Sequence, residues 1–137
     1  MKVFVKNGTI VSETGQYQGD LCIENGVISQ IGTHLEPTSE EEAQVIDAAG
    51  KYVLPGGVRC STHMDLLAGS SRAVDDFYDG TVAAACGGTT SIVDHMAFGP
   101  AGCPLRIISV NEYHGLADHK AVIDYGFHGT CQHVNEE

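Results

Sequence analysis

Three apolar segments, about 35 residues apart, each run into polar side chains of the kind that bind metals. The segments lie at residues 52–58, 89–93 and 121–125. Stretches with helical character separate them, so the pattern is βαβαβ. Strands joined in sequence by helices form a parallel sheet with right-handed crossovers. We therefore predict an α/β fold over residues 51–137, with a first strand from Tyr52 to Val58 that is distorted at its Pro-Gly-Gly.

The two predicted helices lie between these strands. The first covers residues 74–86, begins beside Asp75 and Asp76, whose charges suit a helix N-terminus, and stops at Gly87-Gly88. Its apolar face should consist of residues at helical spacing, namely Tyr78, Val82 and Ala85. A glycine loop at residues 98–102 leads to Pro104, which suits a first helical position, and the second helix should cover residues 105–119.

Residues 1–50 have a different pattern, that of short β hairpins. Asn7-Gly8 and Asn25-Gly26 each separate two apolar runs, and Asn-Gly is the strongest short hairpin signal. Residues 12–20 should be a polar connection, residues 35–44 an acidic loop, and Val45-Ile46 a short strand. Four or five such strands form a small sheet, which needs a partner sheet to bury one face.

The polar residues at the strand ends form the candidate site. Active sites of parallel α/β folds lie at the carboxyl ends of the strands. Here these positions hold His63 and Asp65, then Asp94 and His95, then His128. His63, His95 and His128 are the ligand type that zinc prefers, so one hypothesis is a three-histidine zinc site. The sequence equally allows each histidine to be an ordinary polar residue at a strand end.

Two details limit the metal hypothesis. Ser61 stands two residues before His63, where a second imidazole on the same strand face would complete a metal-binding pair. Asp94 and His95 are adjacent, so on a strand they point to opposite faces and do not reach one site together. Asp65 is expected to orient the loop that follows it.

Composition excludes several functional classes. The formal net charge is −11, so the basic surface of a nucleic-acid-binding protein is missing. No apolar run approaches the 18 residues of a membrane helix, and neither glycine pair belongs to a phosphate-binding motif. The five cysteines have no C-x-x-C spacing, which indicates free thiols, each expected to be a small buried residue, in a reducing cytoplasm.

Several segments follow one another in an order typical of one enzyme family: KNGTIV, LCIENGVISQIG, VIDAAGKYVLPGGV, STHMD, DDFYDGTVAAACGGTTSIVD and HKAVIDYGFHG. They resemble the start of the dihydropyrimidinase and hydantoinase group of cyclic amidohydrolases over essentially the whole chain. The run AAACGGTTSIVDHMAFGP resembles the bacterial D-phenylhydantoinase type.

The resemblance implies a fold. Residues 1–50 would be the N-terminal part of a small β-sandwich. Residues 51–137 would be the first three β/α units of a metal-dependent (β/α)₈, or TIM, barrel. A complete barrel needs about 250 residues, so the barrel would be incomplete. Family members are commonly homotetramers, which implies a homo-oligomer here.

The resemblance also implies a reaction, the hydrolytic opening of hydantoin or dihydropyrimidine rings. In the family two divalent metals, usually zinc, hold a hydroxide that attacks the ring carbonyl. The second member of the family's His-x-His ligand pair matches His63, and the first falls at Ser61. The other ligands have no counterpart up to Glu137.

Three interpretations follow for this chain. It is a truncated and inactive cyclic amidohydrolase, or it is a non-catalytic remnant or interaction module on the same scaffold. In a third interpretation a separate chain completes the barrel. The sequence leaves enzymatic activity undecided.

Overall fold

The computed structural model describes residues 1–38, 42–68, 70–96 and 110–129 of the chain. The chain divides into two compact units, Met1–Pro55 and Gly56–Glu137. The described part of the first unit contains strands only, and that of the second contains strands and helices. The predicted mixed α/β class is confirmed.

The first unit is one five-stranded sheet. Its strands are β1 (Lys2–Ser12), β2 (Gly15–Glu24), β3 (Val27–Gly32), β4 (Ala43–Asp47) and β5 (Tyr52–Val53). The strand order is β3-β2-β1-β4, and β5 also pairs with β1. β1, β2 and β3 are antiparallel neighbours, whereas β4 and β5 run parallel to β1. Its buried apolar side chains are Phe4, Ile10, Leu21, Cys22 and Ala48.

The two Asn-Gly pairs have different roles. Asn25 and Gly26 have φ of 52° and 80° and connect β2 to β3, so this predicted hairpin is confirmed. Asn7 has φ of 61° but lies inside β1, where the register with β2 shifts, so the predicted turn is a β-bulge instead. The bulge is held because the Asn7 N–H donates to Asp20 Oδ1 at 2.7 Å.

The predicted polar connection at residues 12–20 is also wrong, because most of it is the first half of β2. Residues 15–18 are exposed although they pair with β1. Their polarity therefore reflects contact with solvent on both faces. A strand exposed in this way has the same polar composition as a loop, so composition alone does not distinguish the two.

The second unit is a three-stranded parallel sheet with helices. Its elements are β6 (Gly57–Thr62), β7 (Leu67–Ala68), β8 (Ser71–Arg72), α1 (Phe77–Cys86), β9 (Thr89–His95), α2 (Val110–Ala117) and β10 (Asp124–His128). The strand order is β10-β9-β6 with parallel pairing, and β7 and β8 form a separate antiparallel pair. The predicted βαβαβ order is confirmed.

Two predicted strands have different bounds in the structure. The apolar run at residues 52–58 is not one strand, because β5 joins the first sheet and β6 the second. Pro55 lies between them, has no N–H to donate to a ladder, and so separates the two strands. The third strand begins at Asp124, three residues later than predicted, and continues to His128.

Helix α1 begins at Phe77 because Asp76 caps it. The Asp76 side chain accepts hydrogen bonds from the N–H groups of Tyr78 at 2.8 Å and Asp79 at 3.0 Å. The helix ends at Gly87, and Gly88 has φ of 83°, as predicted for the glycine pair.

The buried face of α1 is not the predicted one. Its buried residues are Phe77, Gly80 and Thr81, whereas Tyr78 is exposed. Phe77 forms the core of this unit with Ile92 and Ala117. Helical spacing alone does not decide which of several apolar stripes meets the sheet, and the more hydrophobic residue, Phe77, is the one buried.

Part of the predicted second helix and the loop before it cannot be compared with the structure. The loop at residues 98–102, the helix start at Pro104 and helix residues 105–109 lie outside the described residues. Cys22, Cys60 and Cys86 are free thiols. Cys22 is buried, but Cys60 and Cys86 are exposed, so the expectation of burial is wrong for these two.

Among the described helices, none is long and apolar enough to cross a membrane.

Candidate functional site

The carboxyl ends of the three parallel strands bring three histidines together. His128 of β10 pairs in register with His95 of β9, and His63 follows the last residue of β6. The ring centroids of His63 and His95 are 5.1 Å apart, and those of His95 and His128 are 4.9 Å apart. The three side chains therefore form a row across the sheet edge, as the strand pattern predicts.

The His63 and His95 rings stack, whereas the His128 ring is tilted by 36° to that of His95. The planes of His63 and His95 are inclined by only 21°, and the His128 Nε2 donates to the Cys60 carbonyl at 3.1 Å. No three His, Cys, Asp or Glu side chains among the described residues are grouped so that they hold a metal ion. The predicted three-histidine zinc site is therefore wrong. These residues alone do not fit the family's two-metal centre.

Asp94 lies on the opposite side of β9 from His95, as the alternation of a strand predicts. It is fully buried, and its Oδ2 accepts hydrogen bonds from Thr62 Oγ1 at 2.7 Å and from the Met64 N–H at 2.8 Å. Its Oδ1 has no hydrogen-bond partner among the described residues. Sequence reasoning placed Asp94 at the strand end but did not identify these contacts, because they join residues 30 and 32 positions apart.

A β-bulge in β6 precedes this pairing and offsets an opposite register shift between Gly57 and Val58. Arg59 pairs with Ile92 and Thr62 pairs with Asp94, so β6 has two residues where β9 has one. Bulges commonly occur beside active sites, where they redirect a side chain. Here the bulge turns Thr62 towards Asp94 and leaves His63 immediately beyond the end of the strand.

Ser61 and His63 share one open cavity of about 490 Å³. Both residues are exposed, and Arg59 and Asp75, of opposite charge, also line the cavity. A neutral hydroxyl is a poor zinc ligand compared with an imidazole. Ser61 and His63 therefore provide one imidazole, where a His-x-His pair would provide two.

Asp65 holds the loop that follows the site, as expected. Its carboxylate accepts two hydrogen bonds from Arg72, at 2.6 Å from Nε and 2.8 Å from Nη2. This bidentate contact raises the pKa of the Arg72 guanidinium, through the hydrogen bond first and the charge second. Asp65 is thus part of the loop structure around β7 and β8.

Known proteins similar to this chain share both sequence and fold. No protein-family model matches it. D-phenylhydantoinase from Escherichia coli is 53% identical over 135 residues, which are 98% of this chain and 29% of that protein. The crystal structure of dihydropyrimidinase from Brevibacillus agri is 43% identical with a TM-score of 0.89, over 99% of this chain and 28% of the other.

A more distant structure has the same fold. The D-hydantoinase from Thermus sp. is 30% identical with a TM-score of 0.87, over 98% of this chain and 28% of the other. The chain thus spans less than a third of the length of the relatives it matches, and nearly all of its own length is aligned. By sequence and by fold, this chain belongs to the hydantoinase and dihydropyrimidinase family.

Proposed function

We propose that this chain is the part of a metal-dependent cyclic amidohydrolase that supplies the first strand-end metal ligand. The substrates would be hydantoin or dihydropyrimidine rings, whose amide C–N bond is hydrolysed. The observation that carries the proposal is the 53% identity to a D-phenylhydantoinase over nearly the whole chain. The strand-end position of His63 supports it, because parallel α/β enzymes place their chemistry there.

Within this proposal His63 is the metal ligand of the segment, and zinc is the metal. A single imidazole does not hold a divalent ion firmly, because zinc sites use three or four protein ligands. The remaining ligands must therefore come from residues other than those described.

Both sheets are proposed to belong to a larger fold. The five-stranded sheet of the first unit is proposed as half of a β-sandwich, with the boundary at residue 50. The parallel sheet β10-β9-β6 of the second is proposed as the start of a TIM barrel. Strand order and parallel pairing support this, and the relatives' longer chains leave room for the remaining strands.

A second candidate is a non-catalytic module that binds another protein chain, either a second copy or a chain that completes the sheet. The observation that favours it is the absence of any three-ligand metal group among the described residues. The outer strands β6 and β10 each have only one neighbour in the described sheet, and Val58 of β6 is 62% exposed. Such strand edges favour association.

Two assays test these proposals. The purified chain is supplied with zinc or manganese and offered phenylhydantoin or dihydrouracil. We expect no ring opening above background, and metal-dependent turnover would overturn the view that this chain is inactive alone.

The second assay tests the family function. This chain replaces the matching segment of the E. coli D-phenylhydantoinase, with Ser61 unchanged or as Ser61→His. We expect the Ser61→His chimera to open phenylhydantoin and His63→Ala in that background to lose at least about 100-fold in rate, since it removes a metal ligand. A folded but inactive Ser61→His chimera would overturn the proposed function.

A further inference from the structure

We propose that Asp94 is a positioning residue that fixes His63 at the end of β6. The two donors that Asp94 accepts from, the Thr62 hydroxyl and the Met64 N–H, belong to the residues immediately before and after His63. The carboxylate therefore holds the residues on both sides of the histidine, Thr62 through its side chain and Met64 through its backbone.

The geometry of the two strands makes this contact specific. The bulge in β6 offsets the earlier register shift between Gly57 and Val58, so Thr62 lies opposite Asp94. His95, the next residue of β9, points to the other face and stacks on the His63 ring at 5.1 Å. Two consecutive residues of β9 thus restrain His63, Asp94 through the backbone and His95 through the imidazole.

The hydrogen-bonding of Asp94 argues against a purely stabilising role. The side chain is 0% exposed, and both of its hydrogen bonds go to Oδ2. Oδ1 is buried with no partner among the described residues. A buried carboxylate oxygen without a donor lowers stability, so filling this space does not by itself call for an aspartate, whereas the two donors of residues 62 and 64 do. What Asp94 provides in return is the fixed conformation of residues 62–64.

The role of Asp94 in positioning His63 follows from geometry alone. Its consequence for metal binding rests on the proposed function. If His63 is a metal ligand, a residue that holds its backbone keeps the imidazole ready for the ion. Partners of this kind, one step removed from the metal, commonly change affinity by about 10- to 100-fold.

The test compares Asp94→Asn with Asp94→Leu in the full chain. Asparagine keeps one oxygen that can accept both hydrogen bonds and places its NH₂ where Oδ1 now lacks a partner. Leucine has a similar size but accepts nothing. The readouts are hydrogen exchange of the Met64 amide and the NMR shifts of the His63 imidazole, with His114, which contacts Tyr125 elsewhere in this unit, as the internal control.

We expect Asp94→Asn to preserve the His63 shifts and the Met64 protection within about threefold. Asp94→Leu should lower Met64 protection by at least about tenfold and move the His63 shifts, while the His114 shifts remain. Unchanged His63 shifts in a folded Asp94→Leu variant would overturn the proposal.

A second pair of variants covers the case in which Asp94→Leu does not fold. Thr62→Val removes one of the two donors at nearly constant shape, and Thr62→Ser keeps it. We expect Thr62→Val to move the His63 shifts and Thr62→Ser to leave them in place; identical shifts in both would overturn the proposal.

Zinc affinity separates the positioning from the proposed function. In the Ser61→His background, Asp94→Leu should weaken zinc binding by about 10- to 100-fold, and Asp94→Asn should not. If the His63 shifts move but zinc affinity does not, the positioning stands and the role of His63 as a ligand fails.

Discussion

The imidazole rings of His63 and His95 stack, with centroids 5.1 Å apart and planes inclined by 21°. Stacked rings present their faces to each other, so His95 packs on His63 and does not share a metal ion with it. This contact gives His95 a structural role that its position at a strand end does not reveal. It also means that His95→Phe, which keeps a flat ring, is a suitable control for any experiment on His63.

Asp20 uses both carboxylate oxygens, and we expect Asp20→Asn to destabilise the first unit. Oδ1 accepts from the Asn7 N–H at 2.7 Å and Oδ2 from the Leu35 N–H at 3.0 Å. An asparagine NH₂ would face one of these donors, which leaves that part-buried N–H unpaired. We expect a loss of about 1–3 kcal/mol in the free energy of unfolding, measured by urea denaturation.

Asp20 should make the chain less stable to unfolding at acidic pH. The Asn7 N–H, as the largest influence, lowers the pKa of Asp20 below its ordinary value in the folded chain. The stability that the ionised Asp20 carboxylate contributes is therefore fully present above the unfolded-state pKa. It is lost as the pH falls through the folded-state pKa, below about pH 4. Asp20→Asn should remove this part of the acid sensitivity, and Asp124→Asn, at an exposed position, should not. Equal stability of Asp20→Asn and the unaltered chain would contradict the assignment.

The cap of α1 should respond to pH in the same direction. The N–H of Asp79 first, and then that of Tyr78 and the charge of Lys120, lower the pKa of Asp76. Stabilisation of the helix by the charged cap is thus present near neutral pH and decreases as the pH falls below about 4.

Variants of Asp76 separate capping from charge. Asp76→Ala removes the acceptor and should lower the melting temperature by about 4 °C at pH 7. Asp76→Asn keeps an acceptor and should lose less, with a weaker dependence on pH. Circular dichroism at pH 7 and pH 3 measures both, and identical melting of the alanine variant at pH 7 would exclude the cap.

Gly56 lies against Thr90 at the start of the second sheet. A Cβ on Gly56 would come within 2.1 Å of Thr90 Oγ1 and 2.2 Å of its Cγ2. A β-branched side chain on a strand has little freedom to move aside. We therefore expect Gly56→Ala to cost about 1–3 kcal/mol in the free energy of unfolding.

Two further variants control the Gly56 experiment. Thr90→Ala removes both clashing atoms but leaves its Cβ, 2.7 Å away, so it should restore only part of the loss. Gly115→Ala, in α2 with no atom within 4 Å, should be neutral or stabilising by about 0.5–1 kcal/mol. If Gly56→Ala had no effect on stability, residue 56 and Thr90 would have to lie farther apart than this close contact implies.

Sequence periodicity was enough to predict the parallel sheet and the meeting of its three histidines. Strand ends in a βαβαβ unit meet at one edge, so His63, His95 and His128 had to lie near one another. Periodicity did not predict the orientation of the rings. That depends on side-chain rotamers and on the bulge in β6, neither of which the order of apolar residues reveals.

The other differences have similar causes. The same dipeptide forms a hairpin at Asn25-Gly26 and a bulge at Asn7-Gly8, because Asp20, far away in sequence, accepts the Asn7 N–H. The role of Asp94 likewise depends on partners about 30 residues away. Local sequence provides the elements, but long-range hydrogen bonds decide how an ambiguous segment folds.

Zinc titration of the unaltered chain and three variants tests the central claim that His63 stands at a metal-ligand position of this family. Ser61 and His63 line the same cavity, so Ser61→His should provide a second imidazole beside the first. We predict that Ser61→His binds zinc at least about tenfold more tightly than the unaltered chain by calorimetry. Adding His63→Phe should remove this gain, and adding His95→Phe should keep it. No gain from Ser61→His, or a gain that survives His63→Phe, would contradict the account.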